Sequence, residues 1–399
     1  MIKGFVSKYM NRFNQSCIAL ITAVILTCIL SGCGTSGFVY SDEPEASVFY
    51  NDAEKSAENS SNTIAYLELT GSSFFFNVLE ETLRTEAEKA GYDFICYSSE
   101  VNAEYQANMM KRCIEERVYC IIIDSVDSDS IVSLVDEAAE NGIYVAFVDT
   151  LSSGGNASIS VTFDNYQAGK LAAEATVQRL AEKYGEVRGT MLNIYGRQES
   201  DATRKRVEGV EEVISKYPGI KYYGVEADDT PESYYTIAAD MLKSEPELDA
   251  IHVYTETYLE AVVAALKDLD RWHPAGDENH IIFTSIDATA SALEYICEGY
   301  LDAASAQDAY AYGMLTMYYL NEYIFIGKEI ELGEHTAQDY FWKSYEIADG
   351  VSGVVVTLPS HLVDKDNASD PKQWANMGIR AGIPNRLTDM PDDSVRMTG

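Results

Sequence analysis

From Thr63 onwards, short apolar runs alternate with amphipathic stretches of about ten to fifteen residues. Such alternation is typical of parallel strands joined by crossover helices. The first run, Ile64-Ala65-Tyr66-Leu67-Glu68-Leu69, predicts a strand, and residues 75–90 carry apolar side chains on one helical face. The pattern then predicts strands over 92–97, 119–123 and 144–148 and helices over 103–116 and 130–141.

A second series of the same kind follows the first. Helices are predicted over 165–184, 203–216, 233–243, 259–268 and 288–298, and strands over 189–195, 222–227, 250–254, 280–285 and 303–306. A long apolar helix over 310–326 and a late strand over 351–357 come after them. We therefore expect an α/β protein with two Rossmann-like lobes, each built on a parallel sheet. A cleft between such lobes, at the carboxyl ends of the strands, is the natural ligand site.

The amino-terminal segment differs from the rest of the chain. Lys3, Lys8 and Arg12 precede an apolar run over 18–30, which is short for a membrane span of about 20 residues. The run ends in Leu30-Ser31-Gly32-Cys33, which resembles a bacterial lipoprotein cleavage box. This order of basic residues, apolar run and cleavage box predicts a signal peptide over 1–32 and a lipid on Cys33. An ordinary signal peptide with an incidental cysteine is the alternative. The polar, aperiodic residues 33–62 indicate a flexible tether.

Composition limits the possible functions. The chain has 29 Lys and Arg against 64 Asp and Glu, a net charge of −35, so a nucleic-acid partner is not expected. Hydrophobic residues make up 46%, enough for a substantial core. Four cysteines that follow Cys33 lie in apolar surroundings, which indicates buried free thiols but leaves a disulfide open: Cys96, Cys113, Cys120 and Cys297. No Cys/His motif suggests a metal, and no cofactor is expected.

Catalytic sequence motifs such as GxSxG, GxxxxGK[ST] and GxGxxG are not found. Instead, polar and aromatic residues follow the predicted strands. Phe74-Phe75-Phe76 begins the first helix, and at least one ring is expected to face the cleft, where it suits the C–H face of a sugar. Local core packing is the alternative.

Polar candidates follow four other predicted elements. Asp149 and Asp287 each end a strand, where a carboxylate can accept from two hydroxyls, although Asp149 would equally serve as a turn or cap residue. Arg204 lies in the first turn of a helix, where the dipole disfavours a cation, so either a specific partner or a solvated basic face is indicated. Gln307 follows a run of small residues.

These landmarks occur in an order that resembles the periplasmic sugar-binding proteins of ABC importers. The likeness is to the ribose-binding group, which shares its fold with the ligand domains of LacI-type repressors. It covers residues 63–367 and rests on Phe75-Phe76, Asn141-Gly142-Ile143 leading to Asp149, Phe163-Asp164-Asn165, Arg204-Lys205-Arg206, Ser285-Ile286-Asp287 and Ala306-Gln307-Asp308. The resemblance implies that Phe75 and Phe76 hold the sugar ring. It also implies that Asp149, Arg204, Asp287 and Gln307 bind the ring hydroxyls.

Three positions depart from the pattern of that group. Thr150 replaces an arginine, Thr255-Glu256 replaces an Asn-Asp pair, and Ser73 replaces an asparagine. We expect Ser73, Thr150 and Thr255 to line a roomier pocket, which puts ribose itself in doubt.

The resemblance also implies a type I periplasmic binding protein with a three-crossing hinge. Crossings near Asp164, Gln307 and Ala348 would put 63–164 with 308–347 in lobe one and 165–307 with 348–380 in lobe two. A polar tail over 381–399 would follow.

Three functional hypotheses are open at this stage. The first is a non-catalytic, extracytoplasmic, lipid-anchored monomer that delivers a monosaccharide or sugar derivative to an ABC permease. The second is a receptor of the same fold that reports to a sensor kinase or chemoreceptor. The third is a carbohydrate-processing enzyme.

Overall fold

The computed structural model describes residues 61–337 and 340–380. The expected signal peptide, Cys33, almost all of the tether and the polar tail lie outside these residues. In the described part, the predicted alternation of strands and helices is confirmed, and the strands form two separate mixed sheets.

The first sheet has eight strands in the order β11-β12-β13-β5-β4-β3-β1-β2. Neighbours from β2 to β13 are parallel, whereas β12 and β11 are antiparallel additions at one edge. The strands are β1 (Thr63–Glu68), β2 (Asp93–Ser98), β3 (Cys120–Ile123), β4 (Tyr144–Val148), β5 (Ile159–Phe163), β11 (Gly333–Thr336), β12 (Ser344–Gly350) and β13 (Gly353–Leu358).

The second sheet has six strands in the order β14-β10-β9-β8-β6-β7, of which β14 alone is antiparallel to its neighbour. The strands are β6 (Gly189–Tyr195), β7 (Ile220–Glu226), β8 (Ala250–Val253), β9 (Ile282–Asp287), β10 (Ala303–Ala306) and β14 (His361–Val363).

Helices separate most of the parallel strands. They are α1 (Phe74–Lys89), α2 (Ala103–Glu115), α3 (Val132–Glu140), α4 (Asn165–Tyr184), α5 (Asp201–Ile214), α6 (Pro231–Ser244), α7 (Leu259–Asp268), α8 (Ala290–Glu298), α9 (Ala309–Tyr319) and α10 (Trp374–Arg380). The helix predicted over 310–326 continues past α9 as a π-helical turn, Leu320–Ile324. Among the described helices, none combines the length and apolarity that crossing a membrane requires.

The chain passes between the two sheets three times. The first two passages lie between β5 and α4 and between β10 and α9, beside Asp164 and Gln307. The third lies between Leu358 and His361, not near Ala348, because β13 pairs with β5 in the first sheet. Residues 348–358 therefore belong to the first sheet rather than to the second lobe, where we expected them. The apolar run of β13 indicated a strand, but its partner strand β5 was not predicted.

The cysteines partly differ from the expectation. Cys113 and Cys120 are buried, Cys96 is half-buried and Cys297 is exposed, and all four are free thiols. Cys120 begins β3, whose four residues are completely buried between helices of the first lobe. The thiols of Cys113 and Cys120 therefore act as small apolar side chains, as expected.

A close helix crossing fixes the frame of the second lobe. A Cβ atom on Gly169 of α4 would lie 2.1 Å from the backbone oxygen of Arg206. One on Gly209 of α5 would lie 2.1 Å from that of Tyr166. Glycine is therefore required on both helices, and the contact determines how far Arg206 stands from α4.

We predict that Gly209→Ala destabilises the protein. Alanine favours a helix by about 1 kcal/mol, but the clash forces α4 and α5 apart at a cost of about 1–3 kcal/mol or more. Urea denaturation with an unchanged m-value measures the loss. Glu208→Ala, an exposed position on the same helix, is the matched control and should be neutral or stabilising. Equal stability of the two variants would contradict the inference that the contact between α4 and α5 requires glycine at residue 209.

Candidate functional site

A cavity of about 270 Å³ lies between the two lobes, at the carboxyl ends of the strands. Six of the nine residues expected at a ligand site line it: Phe75, Phe76, Asp149, Thr150, Thr255 and Asp287. Ser73, Arg204 and Gln307 are not among its lining residues. Further lining residues that were not predicted to contact a ligand include Arg206, Arg197, Asp229, Tyr254 and Tyr258.

The first turn of α1 supplies an aromatic wall. The rings of Phe75 and Phe76 are edge to face, with centroids 5.2 Å apart, and both are almost fully buried. Phe74 instead stacks on Trp374, at 5.6 Å between centroids. Three consecutive helical residues point about 100° apart, so the three rings divide between the cavity and the packing behind it.

Asp149 follows β4 in a left-handed backbone conformation, with φ of 64°. Its Oδ1 accepts a hydrogen bond of 3.0 Å from the Tyr312 hydroxyl. Burial raises the pKa of Asp149, while Arg206 acts in the opposite direction. A second carboxylate, Asp124, is completely buried beside it and accepts from the Thr150 backbone at 3.3 Å. Polar ligand groups that donate hydrogen bonds are therefore favoured at this wall.

Asp287 forms the opposite carboxylate wall at the end of β9. Its Oδ2 accepts from the Thr255 hydroxyl and from the Glu256 backbone N–H, both at 2.9 Å. Asp287 and Ala288 have φ values of 125° and 57°, which non-glycine residues seldom adopt. The buried Glu256 carboxylate holds this turn, because it accepts from the backbone of Ala288 at 3.0 Å and of Thr289 at 2.6 Å. Burial raises the pKa of Asp287, and Arg206 opposes the shift.

The buried cationic group of the cavity is Arg206, not Arg204, whereas Arg197 lines the cavity with a side chain that is 45% exposed. The Arg204 guanidinium is about one third exposed and donates to the backbone oxygens of Gln198 and Glu199. Residues two apart on a helix point roughly 200° apart, so Arg204 and Arg206 occupy opposite faces of α5. Arg206 lies on the buried face of α5 together with Thr203, Val207 and Val210. The helical spacing of these residues is the sequence signal that could have identified Arg206 as the buried arginine.

Arg206 is held by three hydrogen bonds. Nε donates to Asn165 Oδ1 at 2.8 Å, Nη1 to the Tyr254 backbone oxygen at 2.9 Å, and Nη2 to Gln307 Oε1 at 2.6 Å. Nη1 also lies 3.7 Å from Asp287 Oδ1. The guanidinium is thus oriented by protein groups on three sides.

Gln307 and Ser73 occupy supporting positions. Gln307 is completely buried, and its Nε2 donates to Asn165 Oδ1 at 2.8 Å while its Oε1 accepts from Arg206. It therefore orients the arginine from behind. Ser73 is the N-cap residue of α1, where its backbone oxygen accepts from Asn77 at 3.0 Å. Neither side chain lines the cavity as we expected.

Contacts between the lobes close the mouth of the cavity. The Ser128 backbone donates to the Glu199 oxygen at 3.3 Å, and its hydroxyl accepts from the Asp201 backbone at 3.1 Å. Arg197 Nη2 donates to the Val101 oxygen at 3.3 Å, while its Nε binds Asp229 at 3.2 Å. Asp201 begins α5, whereas the other residues of these contacts lie in loops without a periodic pattern, for which the sequence held no signal.

One cluster outside the cavity brings possible metal ligands together. Atoms of Glu68, Glu80 and Cys96 lie within 4.8 Å of one another. Their interactions are already satisfied in part, because Cys96 Sγ donates to Glu68 at 3.1 Å and Glu80 pairs with Arg84.

We predict that Arg206→Met lowers the free energy of unfolding by about 3–5 kcal/mol, since its loss leaves buried carboxylate and amide groups without their cation. Arg204→Met is the matched control and should change stability by about 0.5 kcal/mol or less. Chemical denaturation of both variants measures the difference. A similar small effect for both would contradict the assignment of Arg206 as the buried cation.

Comparison with known proteins agrees with this geometry. A family model for a periplasmic binding protein domain matches residues 65–329. The D-apiose import binding protein of Paraburkholderia graminis is 24% identical over 250 residues, which cover 62% of this chain and 76% of the relative. The ribose import binding protein of Escherichia coli is 22% identical over 246 residues, which cover 62% of this chain and 79% of the relative.

A solved structure shows the same fold. The carbohydrate transporter solute-binding protein of Agrobacterium radiobacter, in complex with D-arabinose, has a TM-score of 0.65 at 19% identity. The match covers 82% of this chain and 99% of that one. The resemblance to the ribose-binding group is confirmed, as is the expectation of a binding protein rather than an enzyme. With two lobes, a cleft at the strand ends and a matching family model, the chain belongs to the periplasmic binding protein family.

Proposed function

We propose that this protein is an extracytoplasmic receptor that binds a monosaccharide or a close sugar derivative between its lobes and delivers it to an ABC permease. The observation that carries the proposal is the cavity in which the Phe75 and Phe76 rings lie with Asp149, Asp287 and Arg206. The relatives named for import of ribose and apiose support the same class of ligand.

The chemistry of the walls suits a polyhydroxylated ring. Aromatic faces bind the C–H face of such a ring, and the carboxylates accept from its hydroxyls. Arg206 donates in a fixed fork to a hydroxyl or a ring oxygen. The volume of about 270 Å³ lies at the lower end of small-molecule sites, which favours one sugar unit over an oligosaccharide.

The lobe contacts support a closure mechanism. A ligand that touches Asp149 of one lobe and Asp287 of the other favours the closed form over the open one. The hydrogen bonds of Ser128 and Arg197 across the mouth exist only while the lobes are close. A membrane partner that recognises both lobes therefore distinguishes the loaded receptor from the empty one.

Transport is favoured over signalling by the named relatives, which are import proteins. A receptor that reports to a sensor kinase or chemoreceptor would use the same closure. The two functions differ in the membrane partner, not in the ligand site.

We also propose that a lipid on Cys33 anchors the receptor to the cell membrane. The support is the order of basic residues, apolar run and Leu30-Ser31-Gly32-Cys33 in the sequence. A lipid explains how so acidic a chain stays at an anionic membrane, which repels it electrostatically.

The sugar hypothesis is tested by a thermal-shift and calorimetry panel of D-ribose, D-apiose, D-arabinose, D-allose and myo-inositol. At least one should raise the unfolding temperature and bind stoichiometrically without being converted. Asp287→Ala should weaken the binding of that ligand by about 1.5–3 kcal/mol, because the ligand hydroxyls lose a charged acceptor.

Arg204→Ala is the matched control and should bind normally, since its guanidinium lies outside the cavity. Unchanged affinity in a folded Asp287→Ala variant would remove that residue from the site. Turnover of any sugar would instead support the enzyme hypothesis.

The anchor is tested by cell fractionation after expression of the full chain in a bacterium with a lipoprotein pathway. The wild type and Cys28→Ser should sediment with membranes, because residue 28 lies inside the apolar run. Cys33→Ser should leave the membrane fraction or keep an uncleaved signal peptide. Identical fractionation and processing of all three proteins would refute lipidation at Cys33.

A further inference from the structure

Trp374 begins α10, beyond residues 65–329 that match the family model. The side chain is only 1% exposed. It does not line the cavity, yet it contacts two residues that do. A side chain from the last described helix is therefore placed directly behind the cavity.

On the side of the first lobe, Trp374 packs against the start of α1. Its ring stacks on Phe74 at 5.6 Å with an interplanar angle of 24°. It meets the ring of Phe75 edge to face, at 5.7 Å and 83°. Phe75 has its other edge-to-face contacts with Phe76 and Tyr312, so Trp374 completes the packing that orients this cavity ring.

On the side of the second lobe, the indole Nε1 donates a hydrogen bond of 2.8 Å to the backbone oxygen of Asp287. The bond falls at the strained position, where Asp287 has φ of 125°. Backbone strain of this kind persists only where surrounding contacts hold it. Trp374 therefore helps to fix the peptide that directs the Asp287 carboxylate into the cavity.

The segment that carries Trp374 is itself firmly held. Gln373 is completely buried, and its Oε1 is paired with His361 Nε2 at 2.9 Å. Asn376 Nδ2 donates to the Asp370 oxygen at 2.7 Å. His361 begins β14 directly after the third passage between the lobes. The position of the indole is thus tied to the hinge.

We propose that Trp374 is a positioning residue for ligand binding, which couples the Phe75 ring of one lobe to the Asp287 carboxylate of the other. The inference rests on the proposed sugar-binding function, because it assigns a role at that same site. Phe75 and Asp287 belong to different lobes, so a change in the cleft alters at least one of the two Trp374 contacts. A core residue that only fills space would have no such effect on a ligand.

The binding test uses the full mature chain and whichever of D-ribose, D-apiose, D-arabinose, D-allose or myo-inositol binds the wild type most tightly. Trp374→Phe keeps an aromatic ring but loses the N–H donor, and affinity should fall about tenfold. Trp374→Leu loses the stacking as well, and affinity should fall further. Trp272→Phe is the matched control, because that indole stacks on Tyr300 away from the cavity, and its affinity should be unchanged.

A double-mutant cycle separates positioning from general stability. If Trp374 acts through Asp287, the effects of Trp374→Phe and Asp287→Ala on affinity should be clearly less than additive. Additive effects, or a folded Trp374→Phe variant with wild-type affinity, would overturn the proposal.

Amide hydrogen exchange of the unliganded protein gives a readout that does not depend on any sugar. Trp374→Phe should exchange faster than wild type both at the start of α1 and in the turn after β9, with β6 and β7 unchanged. Faster exchange at only one of the two places, or at neither, would overturn the coupling. If no sugar binds the wild type while this pattern is seen, the proposed function fails and the coupling stands.

Discussion

The buried guanidinium of Arg206 is the interaction on which the site and the hinge both depend. It binds Asn165, at the first passage between the lobes, and Gln307, at the second. It also binds the Tyr254 oxygen and faces Asp287 in the cavity. One side chain therefore links two of the passages between the lobes to the cavity. Removing a buried charge from such a network costs more than its separate bonds suggest.

The electrostatics of the cavity follow from this arrangement. Several carboxylates lie in or under its walls, and burial raises the pKa of Asp124, Asp149, Glu256 and Asp287. Arg206 opposes this rise for Asp149 and Asp287, so it favours the ionised form of these two carboxylates. A ligand rich in hydroxyl donors supplies what the protein lacks, whereas an anionic ligand would add to the repulsion. The walls are thus suited to the neutral, donor-rich ligand that we propose.

Much of the fold was accessible from the sequence because parallel strands with flanking helices have a regular apolar pattern. β1, β3 and β8 are continuous buried runs and were predicted closely. By contrast, β11 and β12 have few buried residues, so they lack the apolar pattern of a strand. Two of the five residues of β5 carry hydroxyl groups, which interrupts its apolar run. Strand pairing depends on distant partners, which explains why the third passage was expected about ten residues too early.

The candidate site was predictable where a residue's position follows from a strand end. Asp149 and Asp287 belong to this group, whereas the Phe75-Phe76 pair lies in the first turn of the helix that follows β1. Arg204 and Arg206 lie in one basic cluster, and only the helical phase of α5 separates them. Gln307 was expected to face the ligand, but a buried amide with two partners behind the arginine satisfies its hydrogen bonds better than an open wall would. Arg197 and Ser128 act through loop geometry, which no local pattern encodes.

The glycine contact between α4 and α5 has a consequence for how such a receptor changes in evolution. Thr150 and Arg197 border the cavity with a short and an exposed side chain, so substitutions there can change the cavity lining while the backbone stays in place. Gly169 and Gly209 leave no room for any side chain, and the backbone of Arg206 lies against one of them. A substitution at either glycine would therefore move the backbone that carries Arg206, whereas one at the rim changes only the lining of the cavity.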